Sequence, residues 1–257
     1  MLECKRRIMV KKLAVLILTF NEEKNIDECV QSVKFADEII LIDSGSTDQT
    51  CEIAEKLGAK FIYHPMDGGF AGQRNFALKE TEAEWVLFLD ADERITPELA
   101  LEIKNVVEKD EQFAYEILRY NHVLGQPMNY GSFRPDFSLR LYPRTCITWS
   151  GLVHEKAQVS LPKRKLNNKM LHYTYSDWES YFTKFNKYTR LMAEKMIEEG
   201  KQATMFDIVL RPLWGFFRVY ILQSGWRDGK LGFIMAIFHA YYTVVKYVKM
   251  YDWQENE

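Results

Sequence analysis

A run of five bulky apolar residues that ends in two carboxylates constrains the fold of this chain more than any other segment. Residues 85–89 read Trp-Val-Leu-Phe-Leu, and Asp90, Ala91 and Asp92 follow. An unbroken apolar run of this length predicts a strand buried on both faces, as in a parallel sheet covered by helices. Open sheets of that kind bind ligands at the carboxyl ends of their strands, where these carboxylates fall.

Paired carboxylates at a strand end suit a hard divalent cation, and Mg²⁺ or Mn²⁺ usually binds there together with substrate phosphates. A simpler interpretation stays open. Thr96 can cap a helix that begins at Pro97, and the acidic residues would then only decorate the connecting loop.

Strands and helices alternate through the first half of the chain. Residues 13–18, 38–42 and 60–63 are short apolar strand candidates, and residues 26–33 and 53–57 carry apolar residues at helical spacing. This alternation predicts βαβ units, an α/β fold and a mainly parallel sheet. Polar loops follow the first two strands, at the end of the sheet where a ligand is expected.

The pattern changes after Asp92. Residues 99–107 are predicted to form a helix, residues 113–124 and 137–142 to form strands of antiparallel character, and residues 143–160 to be rich in loops. No GKS or GKT phosphate loop is present, and no GxGxxG motif follows the first strand, which argues against P-loop and dinucleotide-binding proteins.

Length and composition agree with one domain plus an appendage. The chain has 257 residues and is 47% hydrophobic, enough for a full core. Its four cysteines are scattered, without zinc spacing or a disulfide framework, and the first residues are too charged for a secretory signal. These features predict a cytoplasmic location.

Charge is distributed unevenly along the chain. Residues 1–155 carry 18 basic and 26 acidic residues, whereas residues 156–249 carry 16 basic and 7 acidic residues. Within the basic part, residues 205–223 and 231–248 are apolar and aromatic, but neither run reaches the roughly 20 uninterrupted apolar residues of a spanning helix. We predict helices that lie on an anionic membrane surface. The alternative is a pair of core helices packed on the catalytic domain or on a second subunit.

Taken together, the strand-end motifs resemble those of family 2 glycosyltransferases. In chain order they are Thr19-Phe20-Asn21-Glu22-Glu23, Asp43-Ser44-Gly45-Ser46-Thr47-Asp48, Gln73-Arg74-Asn75 and Asp90-Ala91-Asp92. Two later segments, Leu139-Arg140-Leu141-Tyr142 and Gly151-Leu152-Val153-His154-Glu155, resemble the bacterial branch that includes lipopolysaccharide core β-1,4-glucosyltransferases. The resemblance implies an α/β GT-A fold with a mixed, mainly parallel sheet. It divides the chain into a catalytic domain, residues 12–160, and a C-terminal helical region for acceptor and membrane association, residues 161–257.

The same resemblance implies the contacts with a UDP-sugar donor. Asp43 would accept a hydrogen bond from the uracil N–H, and the loop of Thr19, Phe20 and Asn21 would frame the base. Glu22 would lie beside the nucleotide. For Glu22 the alternative is a solvated helix start that favours the helix dipole, and for Asp48 it is a helix cap.

Arg74 would hold the donor diphosphate, with a surface ion pair as the alternative. Asp90 would bind the ribose or reach the metal through water, and Asp92 would bind Mg²⁺ or Mn²⁺ directly. Glu155 is the predicted general base for an inverting transfer, with Asp136 as the runner-up. His154 is a candidate metal or phosphate contact, although a lone histidine is more often structural.

The function implied is inverting, metal-dependent transfer of a hexose, glucose from UDP-glucose, to a lipid-linked saccharide, the inner-core heptose of lipopolysaccharide. The enzyme would be peripheral at the inner face of the cytoplasmic membrane, with no nucleic-acid partner. Two alternatives stay open: transfer of a sugar to polyprenyl phosphate, and a non-catalytic subunit that binds nucleotide sugars.

Overall fold

The structure is a computed structural model that describes residues 12–151 and 156–255. The chain divides into two compact units. Within the described residues, the first unit comprises residues 12–119 and 136–172, and the second comprises residues 120–135 and 173–255. Each unit is considered by itself below.

Strands and helices alternate first, and helices dominate the end of the chain. The strands are β1 (Leu13–Thr19), β2 (Glu38–Asp43), β3 (Lys60–Tyr63), β4 (Trp85–Asp90), β5 (Glu93–Ile95), β6 (Ala114–Val123), β7 (Gln126–Pro127), β8 (Asp136–Pro143), β9 (Ile147–Ser150), β10 (Lys156–Val159) and β11 (Lys163–Tyr175). The α-helices are α1 (Ile26–Ser32), α2 (Thr50–Lys56), α3 (Gly69–Ala77), α4 (Pro97–Lys109), α5 (Trp178–Glu198), α6 (Met205–Phe217) and α7 (Gly229–Glu255).

Among the described residues, nine strands form one mixed sheet in the order β3-β2-β1-β4-β8-β6-β11-β5, with β7 beside β6. The strands β1 to β4 pair in parallel, while β8 pairs antiparallel with β4 and β6. A separate hairpin is formed by β9 and β10. The predicted α/β class with a mixed sheet is confirmed.

The order of the parallel strands creates a topological switch point. From β1 the chain proceeds through β2 to β3 on one side, and it then returns to place β4 on the other side of β1. Connections that diverge from neighbouring strands leave a crevice at the carboxyl ends, and ligands of open α/β sheets bind in that crevice. The crevice lies at the ends of β1 and β4, where Thr19 and Asp90 stand.

Both faces of the central sheet are buried, as the apolar run predicts. Alternate residues of β1 belong to two different cores: Val15 and Ile17 pack with α1, α2 and α4, whereas Ala14 and Leu16 pack with the end of α3 and the β9–β10 hairpin. In β4, Leu87 belongs to the same core as Val15 and Ile17, and Phe88 belongs to the same core as Ala14 and Leu16. A strand covered on both sides needs apolar residues at every position, which explains the unbroken run.

Several local predictions are confirmed. The helix predicted over residues 99–107 is α4, and its N-cap Thr96 accepts a hydrogen bond from the Leu99 N–H. The strands predicted over residues 113–124 and 137–142 are β6 and β8, which pair antiparallel. Thr96 therefore caps α4, as the simpler interpretation predicted. This capping leaves open a ligand-binding role for the carboxylates at the end of β4.

Other segments differ from their predictions. Residues 93–95 form β5, and the region 143–160, predicted to be rich in loops, contains the β9–β10 hairpin. The strand β11 lies where residues 161–257 were predicted to be helical, and the helices begin only at Trp178. In β11 most residues before Met170 are polar and exposed, apart from buried Leu166. The apolar alternation that marks a strand is therefore missing.

The second unit is built mainly from α5, α6 and α7. Its hydrophobic core includes the aromatic residues Tyr181 and Phe185 from α5, together with Met235 from α7. Between α6 and α7 the chain forms a π-helical turn, Arg218–Leu222, and a short 3₁₀ helix, Gly225–Asp228. One helical stretch, Gly225–Gln254, is long and apolar enough to cross a membrane by length and composition alone, and an 18-residue window within it has a mean hydropathy of 1.4.

Candidate functional site

The predicted donor residues converge at the carboxyl ends of three adjacent strands. In the parallel register Thr19 lies opposite Asp43, and Leu18 lies opposite Asp90. Since neighbouring strands are about 4.8 Å apart, Asp43 and Asp90 flank β1 at a backbone separation of roughly 10 Å. Thr19, Asp43 and Asp90 are thus brought to one edge of the sheet, as the sequence predicts.

Asp43 organises the loop that follows β2. It is 2% exposed, and its Oδ2 accepts hydrogen bonds from the backbone N–H groups of Gly45 (2.8 Å) and Ser46 (2.7 Å). Its Oδ1 accepts from the Ser46 hydroxyl. Gly45 has φ +109°, a conformation that favours glycine. A carboxylate has about four acceptor positions, so an additional donor such as a uracil N–H can still be bound.

The loops after β1 and β2 are tied together. The Asn21 N–H donates to Ser46 Oγ at 2.7 Å, and Asn21 Oδ1 accepts from the Thr47 N–H at 2.8 Å. Asn21 has φ +54°, which asparagine tolerates better than most residues. The Glu22 N–H donates to Thr50 Oγ1 at 2.9 Å. Asn21 therefore holds the shape of this edge through its side chain.

Asp48 has a structural role in the same loop pair. Its Oδ1 accepts from the Thr50 N–H at 3.0 Å, and its Oδ2 accepts from the Glu23 N–H at 3.1 Å. Partial burial acts to raise the pKa of Asp48, but the hydrogen bonds from Thr50 and Glu23 outweigh it and lower the pKa. Asp48 thus stabilises the turn that precedes α2, whereas the N-cap position is occupied by Gln49, whose side chain makes no capping hydrogen bond.

Thr19 and Phe20 differ in exposure at the end of β1. Thr19 is 4% exposed, and in the described part of the chain its Oγ1 is buried without a hydrogen-bond partner. Phe20 is 55% exposed. A buried hydroxyl without a partner is unusual in a native fold and fits a position that meets a ligand. An exposed ring beside it offers a surface on which a base can stack.

Arg74 lies in a slot between two aromatic rings. Its guanidinium carbon is 5.1 Å from the centroid of the Phe88 ring and 4.8 Å from that of the Trp149 ring. Its Nη2 is 3.4 Å from Asp90 Oδ1, and the residue is 5% exposed. Arg74 does form an ion pair, with Asp90, but its guanidinium is buried and not at the surface; its role toward the diphosphate stays a prediction.

Each residue of the Gln73-Arg74-Asn75 motif fixes α3 to a different segment. Gln73 Nε2 donates to His64 O at 2.7 Å and to Ser44 Oγ at 3.2 Å, which links the ends of β3 and β2. Asn75 forms two hydrogen bonds with the backbone of Trp149 on β9. Arg74, between them, faces Asp90. The motif therefore positions the guanidinium relative to the sheet edge.

Asp90, whose side chain is 35% exposed, joins an ionic network with the buried residues Arg140 and Glu93. Arg140 Nη2, from β8, lies 2.6 Å from Asp90 Oδ2 and 2.5 Å from Glu93 Oε1, and Glu93 Oε2 accepts from the Asp90 N–H at 3.0 Å. Burial acts to raise the pKa of Asp90, but Arg140 and Arg74 outweigh it and hold the pKa well below its usual range. Asp90 is therefore an ionised carboxylate of fixed orientation.

Glu93 is fully buried, and its environment differs from that of Asp90. Burial raises the pKa of Glu93; Arg140 opposes this effect, and the negative charge of Asp90 reinforces it. Arg119 Nη1 is 3.9 Å from Glu93 Oε1. No role was predicted for Glu93 or Arg140. The signals that could have identified them are a third acidic residue directly after the carboxylate pair and an arginine between apolar residues of a strand.

Asp92 follows β4 and is partly buried. His172 Nε2, from β11, lies 3.4 Å from Asp92 Oδ2. Among residues 12–151 and 156–255, no three His, Cys, Asp or Glu side chains are grouped so that they could hold a metal ion. Asp92 and Asp90 stay the predicted metal contacts. His172 was not predicted, because it lies 80 positions away on a strand of polar sequence.

Of the two candidate general bases, Asp136 is described by the structure and Glu155 is not. Asp136 forms two hydrogen bonds with Arg119, to Nε at 3.1 Å and to Nη2 at 2.9 Å. Both carboxylate oxygens of Asp136 are therefore already engaged by one guanidinium, which argues against Asp136 as the base. Glu155 and His154 lie outside the described residues, and their roles stay predictions.

Comparison with known proteins identifies the family. Residues 14–152 match the family model described as Glycosyl transferase family 2. An uncharacterized glycosyltransferase of Rickettsia conorii is 31% identical over 258 residues, covering 94% of this chain and 90% of the relative. The chain belongs to the family 2 glycosyltransferases. The GT-A class of fold expected from the resemblance is confirmed by this membership and by the mixed sheet with its C-terminal helices.

One further relative and one solved structure are also similar to this chain. The lipopolysaccharide core biosynthesis glycosyltransferase LpsC of Rhizobium meliloti is 30% identical over 252 residues, covering 93% of this chain and 92% of LpsC. Among solved structures, S. aureus TarS aligns with a TM-score of 0.44 and 17% identity, over 96% of this chain and 92% of that chain. A structural likeness of this size identifies no residue role in the present chain.

Proposed function

We propose that this glycosyltransferase moves a hexose, glucose from UDP-glucose, with inversion to a lipid-linked saccharide acceptor, the inner-core heptose of lipopolysaccharide. The observation that supports the donor site is that Asp43 and Asp90 flank β1 at one edge of the sheet beside the switch point, with Arg74 next to Asp90. The acceptor rests on the similarity to LpsC, whose name refers to lipopolysaccharide core biosynthesis.

Donor binding follows from the chemistry of this edge. Asp43 accepts from the uracil N–H, and the loop of Thr19, Phe20, Asn21 and Glu22 frames the base. Asp90 accepts from the ribose hydroxyls. These assignments are supported by the hydrogen bonds that fix both loops, and by the arginines that keep Asp90 ionised.

Arg74 binds the donor diphosphate. A guanidinium held between two rings is preorganised, so little conformational entropy is lost when the phosphates bind. Arg74 Nη2 also lies 3.4 Å from Asp90 Oδ1, so the guanidinium is held at the sheet edge where the donor is expected.

The residues present fit a divalent cation that the donor helps to hold. Asp92, with Asp90 beside it, supplies carboxylate oxygens, and Mg²⁺ typically binds through one or two carboxylates plus substrate phosphates. A site of this kind needs no group of three protein ligands. His154 is a further candidate contact. The chemistry that bound Mg²⁺ or Mn²⁺ supplies is neutralisation of the negative charge on the departing diphosphate.

The acceptor hydroxyl is deprotonated by Glu155 as it attacks the anomeric carbon. The choice of Glu155 over Asp136 is supported by the two hydrogen bonds between Asp136 and Arg119. Inversion follows from a single displacement, in which the base acts on the face opposite the leaving diphosphate.

The proposal keeps two regions with separate roles: a catalytic domain, predicted as residues 12–160, and a C-terminal region for acceptor and membrane association. The boundary between them is placed after β11. The region from Trp178 onward associates with an anionic membrane surface at the inner face of the cytoplasmic membrane. Support comes from α6, whose exposed apolar side chains recur at helical spacing. They are Phe206, Val209, Leu210, Leu213, Trp214 and Phe217. An exposed apolar face of this length is characteristic of interfacial helices.

Cations accompany that apolar face. Arg211 lies within α6, where it also pairs with Asp207, and Arg218 directly follows α6. Basic residues at the edge of an apolar stripe suit phospholipid headgroups. The alternative that α6 is covered by a second subunit predicts a dimer in detergent-free solution.

The transfer is tested with purified protein, radiolabelled UDP-sugars and membranes from cells that lack it. Transfer of glucose to lipopolysaccharide, with a β-linked product by NMR, supports the proposal. Transfer to polyprenyl phosphate would favour the first alternative, and UDP-sugar binding without any transfer would favour the non-catalytic one. Glu155→Gln should lose at least roughly 10²-fold in rate with unchanged donor affinity. Asp136→Asn is the matched comparison and should retain activity.

A further inference from the structure

The second unit contains an aromatic pocket that the donor site does not use. The pocket has a volume of about 210 Å³ and lies between α5, α7 and the segment that holds Ser132. At roughly 30 Å³ per water molecule, this volume corresponds to about seven waters. It therefore suits one small ring compound.

The walls of the pocket are mostly aromatic rings. Tyr181 packs against Tyr175 with ring centroids 4.8 Å apart and against Phe238 at 5.2 Å, while Phe185 contacts Tyr242 at 5.7 Å. Rings supplied by both helices and by the end of β11 form rigid apolar faces. Such faces bind the flat, apolar side of a ligand with little loss of side-chain entropy.

Polar atoms accompany these rings. The tyrosines carry hydroxyl groups, and the Ser132 hydroxyl lies 3.4 Å from His239 Nδ1 at the exposed mouth. Within the described residues, no Asp, Glu, Lys or Arg lines the pocket. Apolar walls with a few uncharged hydrogen-bonding groups favour a neutral ligand that has both apolar faces and hydroxyl groups.

We propose that this pocket is a binding subsite for a neutral saccharide ring of the acceptor. A pyranose presents C–H groups on its faces, which pack on aromatic rings, and hydroxyl groups at its edge, which meet Ser132, His239 and the tyrosine hydroxyls. A hydrocarbon chain would make no hydrogen bond to those groups, and among the described residues no Lys or Arg lines the pocket to pair with a phosphorylated sugar. This inference rests on the proposed saccharide acceptor. In it, the second unit binds one sugar ring of that acceptor.

Binding is measured directly on the full chain by saturation-transfer difference NMR, without donor or metal. The probes are methyl glycosides of glucose, galactose and mannose, and 1-octanol is the hydrocarbon probe. At least one glycoside should bind, and octanol should not. Tyr188→Leu removes a half-exposed ring of the lining, and Ser132→Ala removes a hydroxyl at the mouth. Each should weaken glycoside binding at least about fivefold, the loss of roughly one hydrogen bond.

Tyr251→Leu is the matched control, since Tyr251 is exposed on α7 and lies outside the lining. It should change binding less than about twofold. Glycoside binding that ignores Tyr188→Leu and Ser132→Ala, binding of octanol instead, or no binding of any glycoside overturns the subsite. Glycoside binding at the pocket without detectable transfer would contradict the proposed function alone. Normal transfer with an unchanged acceptor KM in Tyr188→Leu would contradict the subsite alone.

Discussion

Asn75 holds Trp149 by two hydrogen bonds to its backbone: Asn75 Oδ1 accepts from the Trp149 N–H at 2.9 Å, and Asn75 Nδ2 donates to Trp149 O at 2.7 Å. The same tryptophan covers the guanidinium of Arg74, the neighbour of Asn75 in α3. The side-chain amide of Asn75 therefore fixes the Trp149 ring, which packs on Arg74, the residue predicted to bind the donor diphosphate. Asn75 is a positioning residue, and its effect on the donor should be transmitted through Arg74.

Asn75→Ala should lower both stability and donor affinity. Loss of two hydrogen bonds should reduce the free energy of unfolding by about 1–3 kcal/mol, measured by urea denaturation. The dissociation constant of UDP, measured by calorimetry, should rise, because the Arg74 slot is no longer fixed. Asn105→Ala, on the exposed side of α4, is the control and should change neither quantity appreciably. Unchanged UDP affinity in a destabilised Asn75→Ala protein would show that the contact is structural only.

Arg140→Met should be strongly destabilising, because Glu93 and Asp90 would lose the cation that they share. Removing one partner of a buried ion pair typically costs about 3–5 kcal/mol. Adding Glu93→Gln to Arg140→Met should recover part of the loss, since one uncompensated charge is then removed. Denaturation of the two single variants and the double variant measures this coupling. Simple additivity would contradict the shared network, and Arg190→Met, at an exposed ion pair with Glu194, should cost less than about 1 kcal/mol.

Asp48→Asn should destabilise the protein in a pH-dependent manner. The pKa of Asp48 is lowered in the folded state, so the ionised carboxylate stabilises the fold above the unfolded pKa near 3.8. That stabilisation is lost as the pH falls through the lower folded pKa. The wild type should therefore be more stable than Asp48→Asn at pH 7, and the difference should shrink below about pH 4. A difference that is constant from pH 7 to pH 3 would contradict this role.

The sequence predicted the sheet and its ligand edge because both depend on local patterns. Strands buried on two faces require unbroken apolar runs, and β1, β2 and β4 have them. Their carboxyl ends follow directly in the chain, so Asp43 and Asp90 could be placed at one edge without a structure. The helix α4 was likewise marked by Thr96, Pro97 and its apolar spacing.

The rest of the site depends on contacts between distant segments. Arg140 reaches Asp90 across 50 positions, and His172 reaches Asp92 across 80. No periodicity predicts such pairs, since each partner lies on a separate strand whose order in the sheet is set by tertiary packing. The strand β11 was missed for a related reason: its exposed polar residues resemble a loop or a solvated helix.

The membrane proposal predicts that charge on the apolar face of α6 prevents vesicle binding. Leu213→Glu should reduce co-sedimentation with vesicles of phosphatidylglycerol and phosphatidylethanolamine, because a carboxylate would enter the interface and repel anionic headgroups. Leu101→Glu is a matched control, since both leucines are 64% exposed and Leu101 lies on α4. Equal binding by both variants would contradict the α6 surface. A dimer that Leu213→Glu dissociates, in a protein that ignores vesicles, would favour the subunit interface.

The metal and donor assignments are tested most directly by calorimetric titration of UDP into the wild type and into Asp92→Ala, each with and without Mn²⁺. The wild type should bind UDP more tightly when Mn²⁺ is present, because Asp92 would help to hold a cation that neutralises the charge of the diphosphate. Asp92→Ala should keep its metal-free affinity for UDP, through Asp43 and Arg74, and lose the enhancement by Mn²⁺. UDP affinity that is independent of the metal in the wild type, or an enhancement that survives in Asp92→Ala, would contradict the account.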